Sequence, residues 1–475
     1  MTTDEGASEQ AGRTGSDSSN AEPEPANSRR AKGPRARSAT RELRRGEFLR
    51  MVARPTVVLA ILTALLGVMY LDYVADPEGN LHDFPIAVVN LDVGDVTATG
   101  TKVDFGKQVT DALVAGVPQD KVDLRVIGVT ESERQLRNGE IYGAIVIPGD
   151  FSKRLGILGT GSIVAGEMER PVITLQTNPR LGAFGAQITK RIGDQALTEV
   201  DKQVGVQLTD QVKAALAATP EGAPAPQVSG AAMLTLQHPI DIVESEFRPL
   251  PDGTGEGLTA FFYALLLLLA GMIGAMVVHT MTDAHLGFVP NEYGPFYLHH
   301  EPVKISRFGT LLVKWAVMVV VSLVVALVYI LVAEALNMPV SNPFGLYLFS
   351  VLCLIACGWT GLTMLAVFGT PGLLINMVLF VILGLPSSGG TVPIEATPKY
   401  LTWLAEFEPM HQVYLGVRSI LYFDSNYDAG LGRGTFMAFL GIAIAVVLGA
   451  AVTRFYDVKG LHRENLLARE ATDPS

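Results

Sequence analysis

The residues best suited to act on a ligand are polar or conformationally unusual residues in the last third of the chain. An amide or hydroxyl in an apolar helix hydrogen-bonds either to a neighbouring helix or to a substrate. Proline and glycine release backbone groups that must find other partners inside a membrane. This composition predicts a transport path or gate, although the Ser-Ser-Gly-Gly run is also compatible with a simple turn. The predicted residues are Asn376, Pro386, Ser387, Ser388, Gly389, Gly390, Pro409 and Arg418.

Sequence patterns of catalysis or cofactor binding are missing from the chain. Gly159-Thr-Gly161 lacks the lysine of a phosphate-binding loop, and there is no HExxH, no CxxC and no GxSxG with a plausible triad. His299-His300-Glu301 places adjacent side chains in diverging directions, which favours a surface pair over a metal site. Cys353 and Cys357 lie in an apolar helix and are interpreted as buried thiols. We therefore predict no enzyme activity, no metal and no cofactor.

The elements that must position these residues are long uncharged blocks. The chain is 49% hydrophobic and 17% charged, with a mean hydropathy of +0.32. Blocks of about 20 apolar residues are typical of membrane-spanning helices. The fifth block is shorter, since its apolar run gives only about 20 Å of helix against a hydrocarbon core of about 30 Å, so it is predicted to be short or re-entrant. The predicted spans are residues 55–73, 258–278, 311–333, 344–368, 371–385 and 435–453.

The distribution of charge predicts the orientation. Residues 1–40 are read as a disordered cytoplasmic tail, and residues 41–54 as a basic juxtamembrane segment that keeps the N-terminus in the cytoplasm. Six spans then place the tail 454–475 inside as well, and residues 75–257 outside, in the plasma membrane. A formal net charge of −11 argues against nucleic acid as a partner. The lipid bilayer is the predicted environment.

Residues 75–257 alternate between strand-like and helix-like patterns, which favours an extracytoplasmic α/β domain. Strands are predicted at 84–90, 122–129, 142–147 and 171–176, with a further one at 240–247. A long helix is predicted over 181–218, where apolar residues recur at every fourth position. At about 100° per residue this stripe winds around the helix. We therefore expect either a bend or different partners along its length, and a break at residues 220–226.

Residues 386–434 are predicted to form an outer loop that carries amphipathic helices. Pro409 interrupts the pattern, and Arg418, Glu406 and Glu408 fall on its polar side. Two interpretations stay open: a helix pair lying at the outer membrane surface, or a lid that packs on the bundle.

With this layout assembled, the chain resembles the phage infection protein (YhgE/Pip) family within the wider ABC-2-type permeases. The matching pieces are Ile86-Ala-Val-Val-Asn-Leu-Asp-Val-Gly94, Ile147-Pro-Gly-Asp-Phe-Ser152, Leu250-Pro-Asp-Gly-Thr-Gly255, Leu385-Pro-Ser-Ser-Gly-Gly390 and Gly416-Val-Arg-Ser-Ile-Leu-Tyr422. The resemblance implies an export-type permease fold with one span before and five after a large outer domain. It also implies a homodimer in many members and a separate ATP-binding subunit, and it supplies no catalytic residues.

Two functions are compatible with these observations. The first is an ABC-2-type permease-like protein that exports or extracts amphiphilic compounds across the plasma membrane, driven by a partner ATPase or an ion gradient. The alternative is a non-transporting scaffold whose outer domain binds envelope or secretion partners, and the winding stripe on the long helix motivates it.

Overall fold

The computed structural model describes residues 45–96, 102–161, 169–217, 230–298 and 300–461. The predicted disordered tail, the predicted break at 220–226, His299 and the end of the C-terminal tail lie outside the described residues. Residues 61–475 form one compact unit by their contacts, and the architecture below is that of the described part of this unit.

Five helices are long and apolar enough to cross a membrane. Their outward surfaces carry large apolar side chains, including Val320 and Val447, which are 61% and 68% exposed. Such exposure is costly in water and is expected of helices that face lipid. These helices indicate a multi-pass membrane protein. The five candidate spans are Pro55–Ala75, Leu258–His285, Arg307–Ala335, Pro343–Phe368 and Tyr427–Val458.

These spans belong to a larger set of helices in the bundle. The central helix is α9, which packs against α7, α8, α10 and α13. A π-helical turn, Val378–Ile382, extends α10. A kinked segment, Tyr427–Leu431, precedes α13, and its backbone leaves the helical conformation at Ala429 and Gly430. The bundle helices are the part of α1 (Arg45–Ala75) from Ile61 onward, α7 (Leu258–His285), α8 (Arg307–Ala335), α9 (Pro343–Phe368), α10 (Pro371–Met377), α11 (Lys399–Ala405), α12 (Pro409–Tyr422) and α13 (Gly432–Val458).

The predicted α/β domain is confirmed between α1 and α7. Five strands form one mixed sheet in the order β4-β1-β5-β6-β7, in which β1 is parallel to β4 and β5, β6 is antiparallel to β5, and β7 is parallel to β6. The strands are β1 (Phe84–Asn90), β4 (Val122–Val126), β5 (Gly143–Ile147), β6 (Val172–Thr177) and β7 (Asp241–Glu246). Short hairpins are formed by β2 (Asp95–Val96) with β3 (Lys102–Val103), and by β8 (Asn291–Tyr293) with β9 (Phe296–Leu298).

The helices of the domain cover this sheet. The second strand was predicted to continue to residue 129, but it ends at Val126 because α3 begins at Val129 with Gly128 as its N-cap. The domain helices are α2 (Phe105–Gly116), α3 (Val129–Asn138), α4 (Phe151–Gly161), α5 (Ala183–Ala217) and α6 (Gly230–Gln237).

Two of the sequence pieces that carried the resemblance meet in this domain. Asp92, after β1, accepts hydrogen bonds from the backbone N–H groups of Gly106 and Ser152, both at 3.0 Å, and contacts the Ser152 hydroxyl. Gly106 is the second residue of α2, and Ser152 is the second residue of α4. One carboxylate therefore satisfies orphan N–H groups at the start of two helices, which stabilises both ends.

The long helix α5 contacts different partners along its length, as expected from its winding stripe. Phe184, Ile188 and Ile192 pack into the core that continues into the helix bundle. Val200 and Leu208 instead belong to the core beneath the sheet, with α2 and α4. The stripe is thus buried by the chain itself, and α5 joins the α/β domain to the bundle.

Candidate functional site

The short helix α10 lies at the centre of the candidate site. With its π-helical turn it covers Pro371–Ile382, which is about 18 Å of helix and less than the roughly 30 Å hydrocarbon core. The π-helical turn Val378–Ile382 lies directly before the segment that connects α10 to α11 and α12. Such turns occur frequently at functional sites. The fifth predicted span is therefore too short to cross the core as one helix.

The chain leaves this helix inside the protein. Pro386, Ser387 and Ser388 are buried, and both serines have no measurable exposure. The Ser387 hydroxyl donates to the Leu383 carbonyl oxygen and the Ser388 hydroxyl to that of Leu385, each at 2.7 Å. These bonds satisfy carbonyl groups released where the helix unwinds. The predicted Pro-Ser-Ser-Gly-Gly residues are therefore a buried, hydrogen-bonded, non-helical segment.

Glycines allow this segment and α12 to approach the bundle closely. A Cβ atom on Gly390 would lie 2.3 Å from the Phe261 ring of α7. A Cβ atom on Gly416 would lie 2.1 Å from the Phe349 ring of α9. Gly389 has a φ of +70°, which favours glycine. No larger residue fits at Gly390 or Gly416 without movement of an aromatic ring.

Helix α12 is buried rather than lying at a surface. Eleven of its fourteen residues are buried, and it packs against α7 and α13. Of the two interpretations left open by the sequence, the structure supports the lid that packs on the bundle. Pro409 occupies the first turn of α12, where its missing N–H removes no helical hydrogen bond.

Glu408 caps α12 and is almost completely buried, at 2% exposure. Its Oε2 accepts hydrogen bonds from the backbone N–H groups of Met410 at 2.6 Å and His411 at 3.2 Å. Its Oε1 has no hydrogen-bond partner among the described residues and would lie 3.1 Å from a Cβ on Gly384. Burial raises the pKa of this carboxyl to about 8. A titratable group thus sits where the unwound segment meets α12.

Arg418 was predicted on the polar side of its helix, but it is 8% exposed. Its guanidinium lies over the rings of Tyr414 and Phe423, at 5.4 Å and 5.6 Å from their centroids. Its Nε has no hydrogen-bond partner among the described residues. Arginine tolerates such a position because its planar group stacks on aromatic faces. The spacing of polar and apolar residues in α12 could not show that Arg418 is buried, because burial depends on the packing of α12 against other elements.

The α/β domain holds the segment after Gly390 through several hydrogen bonds. The Tyr142 hydroxyl donates to the Glu395 carboxylate at 2.8 Å, and the His82 backbone N–H donates to the Glu395 carbonyl oxygen, also at 2.8 Å. The Tyr73 hydroxyl, near the end of α1, contacts Thr391 and accepts from the Val392 N–H at 3.1 Å. The segment is therefore in contact with the first span, the domain and the bundle at once.

Asn376 lies apart from these residues, on α10. Its Nδ2 donates to the Gly361 carbonyl oxygen of α9 at 3.1 Å, and it is buried. Its Oδ1 has no partner among the described residues. The geometry is that of a helix–helix hydrogen bond. The structure does not bring Asn376 together with the serines or Arg418 by any hydrogen bond among the described residues.

The structure contains a second polar cluster that the sequence did not predict. Asp283 of α7 is buried and pairs with the buried Lys314 of α8, with Nζ and Oδ1 2.6 Å apart. His279 lies 3.0 Å from the same Nζ. The sequence feature that could have indicated this cluster is an acidic residue near the end of one apolar helix and a basic residue near the start of the next. Ionisable residues at such positions are functional candidates by default.

Among the described residues, no group of three or more metal-ligating side chains could hold an ion. Both cysteines are free and buried.

Comparison with known proteins identifies a family for this chain. No curated protein and no solved structure matches the chain. One family model matches residues 55–445, which include α7–α12 and all of the described α/β domain. The chain belongs to the family described as "Protein of unknown function (DUF3533)".

Proposed function

We propose that this chain is an ABC-2-type permease-like membrane protein that exports or extracts amphiphilic compounds across the plasma membrane. Both termini face the cytoplasm, the α/β domain faces outward, and a separate ATP-binding subunit or an ion gradient supplies the energy. The charge pattern around the spans and the resemblance to YhgE/Pip proteins support this orientation and class.

One observation carries the proposal: the short helix Pro371–Ile382 leads into buried, non-helical backbone that is packed between the bundle and the domain. Irregular backbone among membrane helices is tolerated where protein or a water-filled cavity surrounds it. Interrupted helices of this kind form the substrate and ion sites of many transporters. A short, broken helix can also move without unfolding a complete span.

The contacts of this segment give it a mechanical role. Because Tyr142 and His82 of the domain and Tyr73 of α1 all bind it, displacement of α10 is passed to the domain. A packed interface of this kind has discrete arrangements rather than continuous deformation. We infer that opening of the path requires the segment to separate from α7, where Gly390 abuts Phe261.

The scaffold alternative receives less support. It was based on an apolar stripe on α5 that could bind a partner helix. The stripe is instead buried in the two hydrophobic cores of the chain itself.

The experiment is a transfer assay in vesicles that contain the purified protein and a fluorescent lysolipid in one leaflet. A membrane-impermeant quencher reports movement to the other leaflet, with either an imposed pH gradient or candidate ATP-binding subunits and ATP. We expect transfer by the wild type. Gly390→Leu should block it, whereas Gly441→Leu should not, because a Cβ on Gly441 meets no atom within 4 Å. Absence of transfer under every energy source would refute the proposal.

A further inference from the structure

The Glu408 carboxyl is an ionisable group inside the protein that has no opposite charge beside it. It is 2% exposed and forms no ion pair with a lysine or arginine among the described residues. Its Oε2 accepts two N–H groups from the first turn of α12, whereas its Oε1 has no hydrogen-bond partner in the described part of the chain. Burial without a counter-charge disfavours the ionised form of a carboxyl. The surroundings of Glu408 therefore favour the protonated form.

The titratable groups near Glu408 supply no positive charge. Tyr70 of α1 and Cys357 of α9 interact electrostatically with the carboxyl, and both side chains are neutral when protonated. On α12, burial lowers the pKa of His411 to about 4, so its ring is uncharged at neutral pH. Burial raises the pKa of Glu408 to about 8, although two backbone N–H groups and a nearby hydroxyl oppose this shift. The carboxyl therefore exchanges its proton close to neutral pH.

Ser387 connects this carboxyl to the end of the helix α10. The Oε1 atom lies close to Gly384, where a Cβ would be 3.1 Å from it. The buried Ser387 hydroxyl faces the carboxyl and donates to the Leu383 carbonyl oxygen at 2.7 Å. A hydroxyl has one proton to donate and two lone pairs that accept. Protonated Glu408 can thus donate to the Ser387 oxygen while Ser387 keeps its bond to Leu383. Ionised Glu408 instead competes with Leu383 for the single Ser387 proton.

This competition couples protonation to the unwound segment. A hydrogen bond to an ionised acceptor is about twice as strong as one to a neutral acceptor. When Glu408 loses its proton, we therefore expect the Ser387 hydroxyl to turn from Leu383 to the carboxylate. A buried carbonyl oxygen then loses a donor directly after the π-helical turn Val378–Ile382, which weakens the closed arrangement.

We propose, on the basis of the proposed function, that Glu408 binds the proton whose gradient drives transfer, and that Ser387 passes the protonation state of Glu408 to the unwound segment. A proton from water on one side of the membrane adds to the carboxylate and stabilises the closed arrangement. It returns to water on the other side when the segment separates from α7, which regenerates the carboxylate. The energy source of the proposed permease is then a proton gradient rather than ATP.

The first test measures protonation without transport. The full chain in nanodiscs is titrated from about pH 6 to about pH 10, and infrared difference spectroscopy detects the carbonyl stretch of a protonated carboxyl. We expect a band that is lost near pH 8 in the wild type and is absent from Glu408→Gln. Glu406→Gln is the matched control and should keep the band, because Glu406 is exposed and pairs with Arg433. A band that persists in Glu408→Gln would overturn the assignment.

The second test measures the response of the segment. A water-soluble thiol reagent labels Ser388→Cys below and above pH 8, without amphiphile. Each rate is divided by that of the same cysteine in a Glu408→Gln background, which cancels the titration of the thiol itself. We expect this ratio to rise about tenfold across the titration when Ser387 is present, since a buried hydrogen bond is lost. The ratio should stay constant in Ser387→Ala. A constant ratio with Ser387 present, or an equal rise without it, would overturn the role of Ser387.

The vesicle transfer assay separates this proposal from the proposed function. A pH gradient should accelerate transfer by the wild type and leave transfer by Glu408→Gln unchanged. Transfer that requires ATP and ignores the gradient, or an equal response of both proteins to the gradient, would overturn the proton assignment and leave the permease intact. A titrating band and pH-dependent labelling without transfer under any energy source would refute the permease and leave the protonation of Glu408 assigned.

Discussion

Replacement of Glu408 by glutamine should make the protein more stable at alkaline pH. The carboxyl is buried at 2% exposure, and burial raises its pKa from about 4.5 to about 8. A carboxyl with a raised pKa in the folded state binds more protons when folded than when unfolded. Its contribution to stability is therefore complete below pH 4.5 and is lost as the pH rises toward 8. Glutamine keeps an oxygen for the N–H groups of Met410 and His411 but cannot ionise.

The magnitude follows from the shift. One pKa unit corresponds to about 1.4 kcal/mol, so the whole shift corresponds to about 5 kcal/mol as an upper estimate. His411 acts in the opposite direction, because burial lowers its pKa from 6.5 to about 4. Its stabilising effect therefore rises between pH 4 and 6.5 and then stays constant. Between pH 6.5 and 8 the loss due to Glu408 is about 2 kcal/mol.

The assay is thermal unfolding of the detergent-purified protein between pH 6 and 9, followed by tryptophan fluorescence. With an unfolding entropy of about 2.1 cal/mol/K per residue, about 2 kcal/mol lowers the Tm of this chain by about 2 °C. The wild type should show this decrease and Glu408→Gln should not. Glu406→Gln is the control, because Glu406 is exposed and pairs with Arg433. Parallel pH profiles for the wild type and Glu408→Gln would refute the reasoning.

Three further predictions concern packing and pairing. Gly416→Ala should lower the Tm relative to Gly441→Ala, because its Cβ would lie 2.1 Å from the Phe349 ring. Asp283→Asn should destabilise the protein by about 3–5 kcal/mol, because it leaves Lys314 buried without its carboxylate. The double variant with Lys314→Met should regain most of this stability. A double variant as unstable as Asp283→Asn would contradict the pairing. Tyr142→Phe should cost about 1 kcal/mol and increase proteolysis between the domain and the bundle, while an unchanged cleavage rate would argue against this contact as a tether.

Local patterns predicted much of the fold. The strands and helices of the α/β domain follow from short-range alternation and periodicity, and the five long spans follow from length and hydropathy. The winding stripe of α5 also predicted its change of partners, because the drift of a four-residue repeat is a property of the helix alone. The shortness of the fifth span was evident from the position of Pro386.

The candidate site was predictable only in part. Ser387, Ser388 and Gly390 stood out because serine and glycine are unusual after an apolar run. The burial of Glu408 and Arg418 did not, because it depends on how α12 packs against helices that are distant in sequence. The same is true of Asp283 and Lys314, which meet only when α7 and α8 are placed side by side.

The central claim is that the segment after α10 moves when an amphiphile is transported, and the accessibility of one engineered cysteine tests it directly. Ser388→Cys would be buried at rest, and the two native cysteines are also buried, so labelling by a water-soluble thiol reagent should be slow. The account predicts that the reagent labels Ser388→Cys at least about tenfold faster when amphiphile is present and the protein is energised. A tenfold increase corresponds to a shift of roughly 1.4 kcal/mol between the buried and the accessible state of the segment. Ser350→Cys, fully buried in α9, should stay protected. Labelling of Ser388→Cys that is equally slow with and without an energised amphiphile would contradict the account.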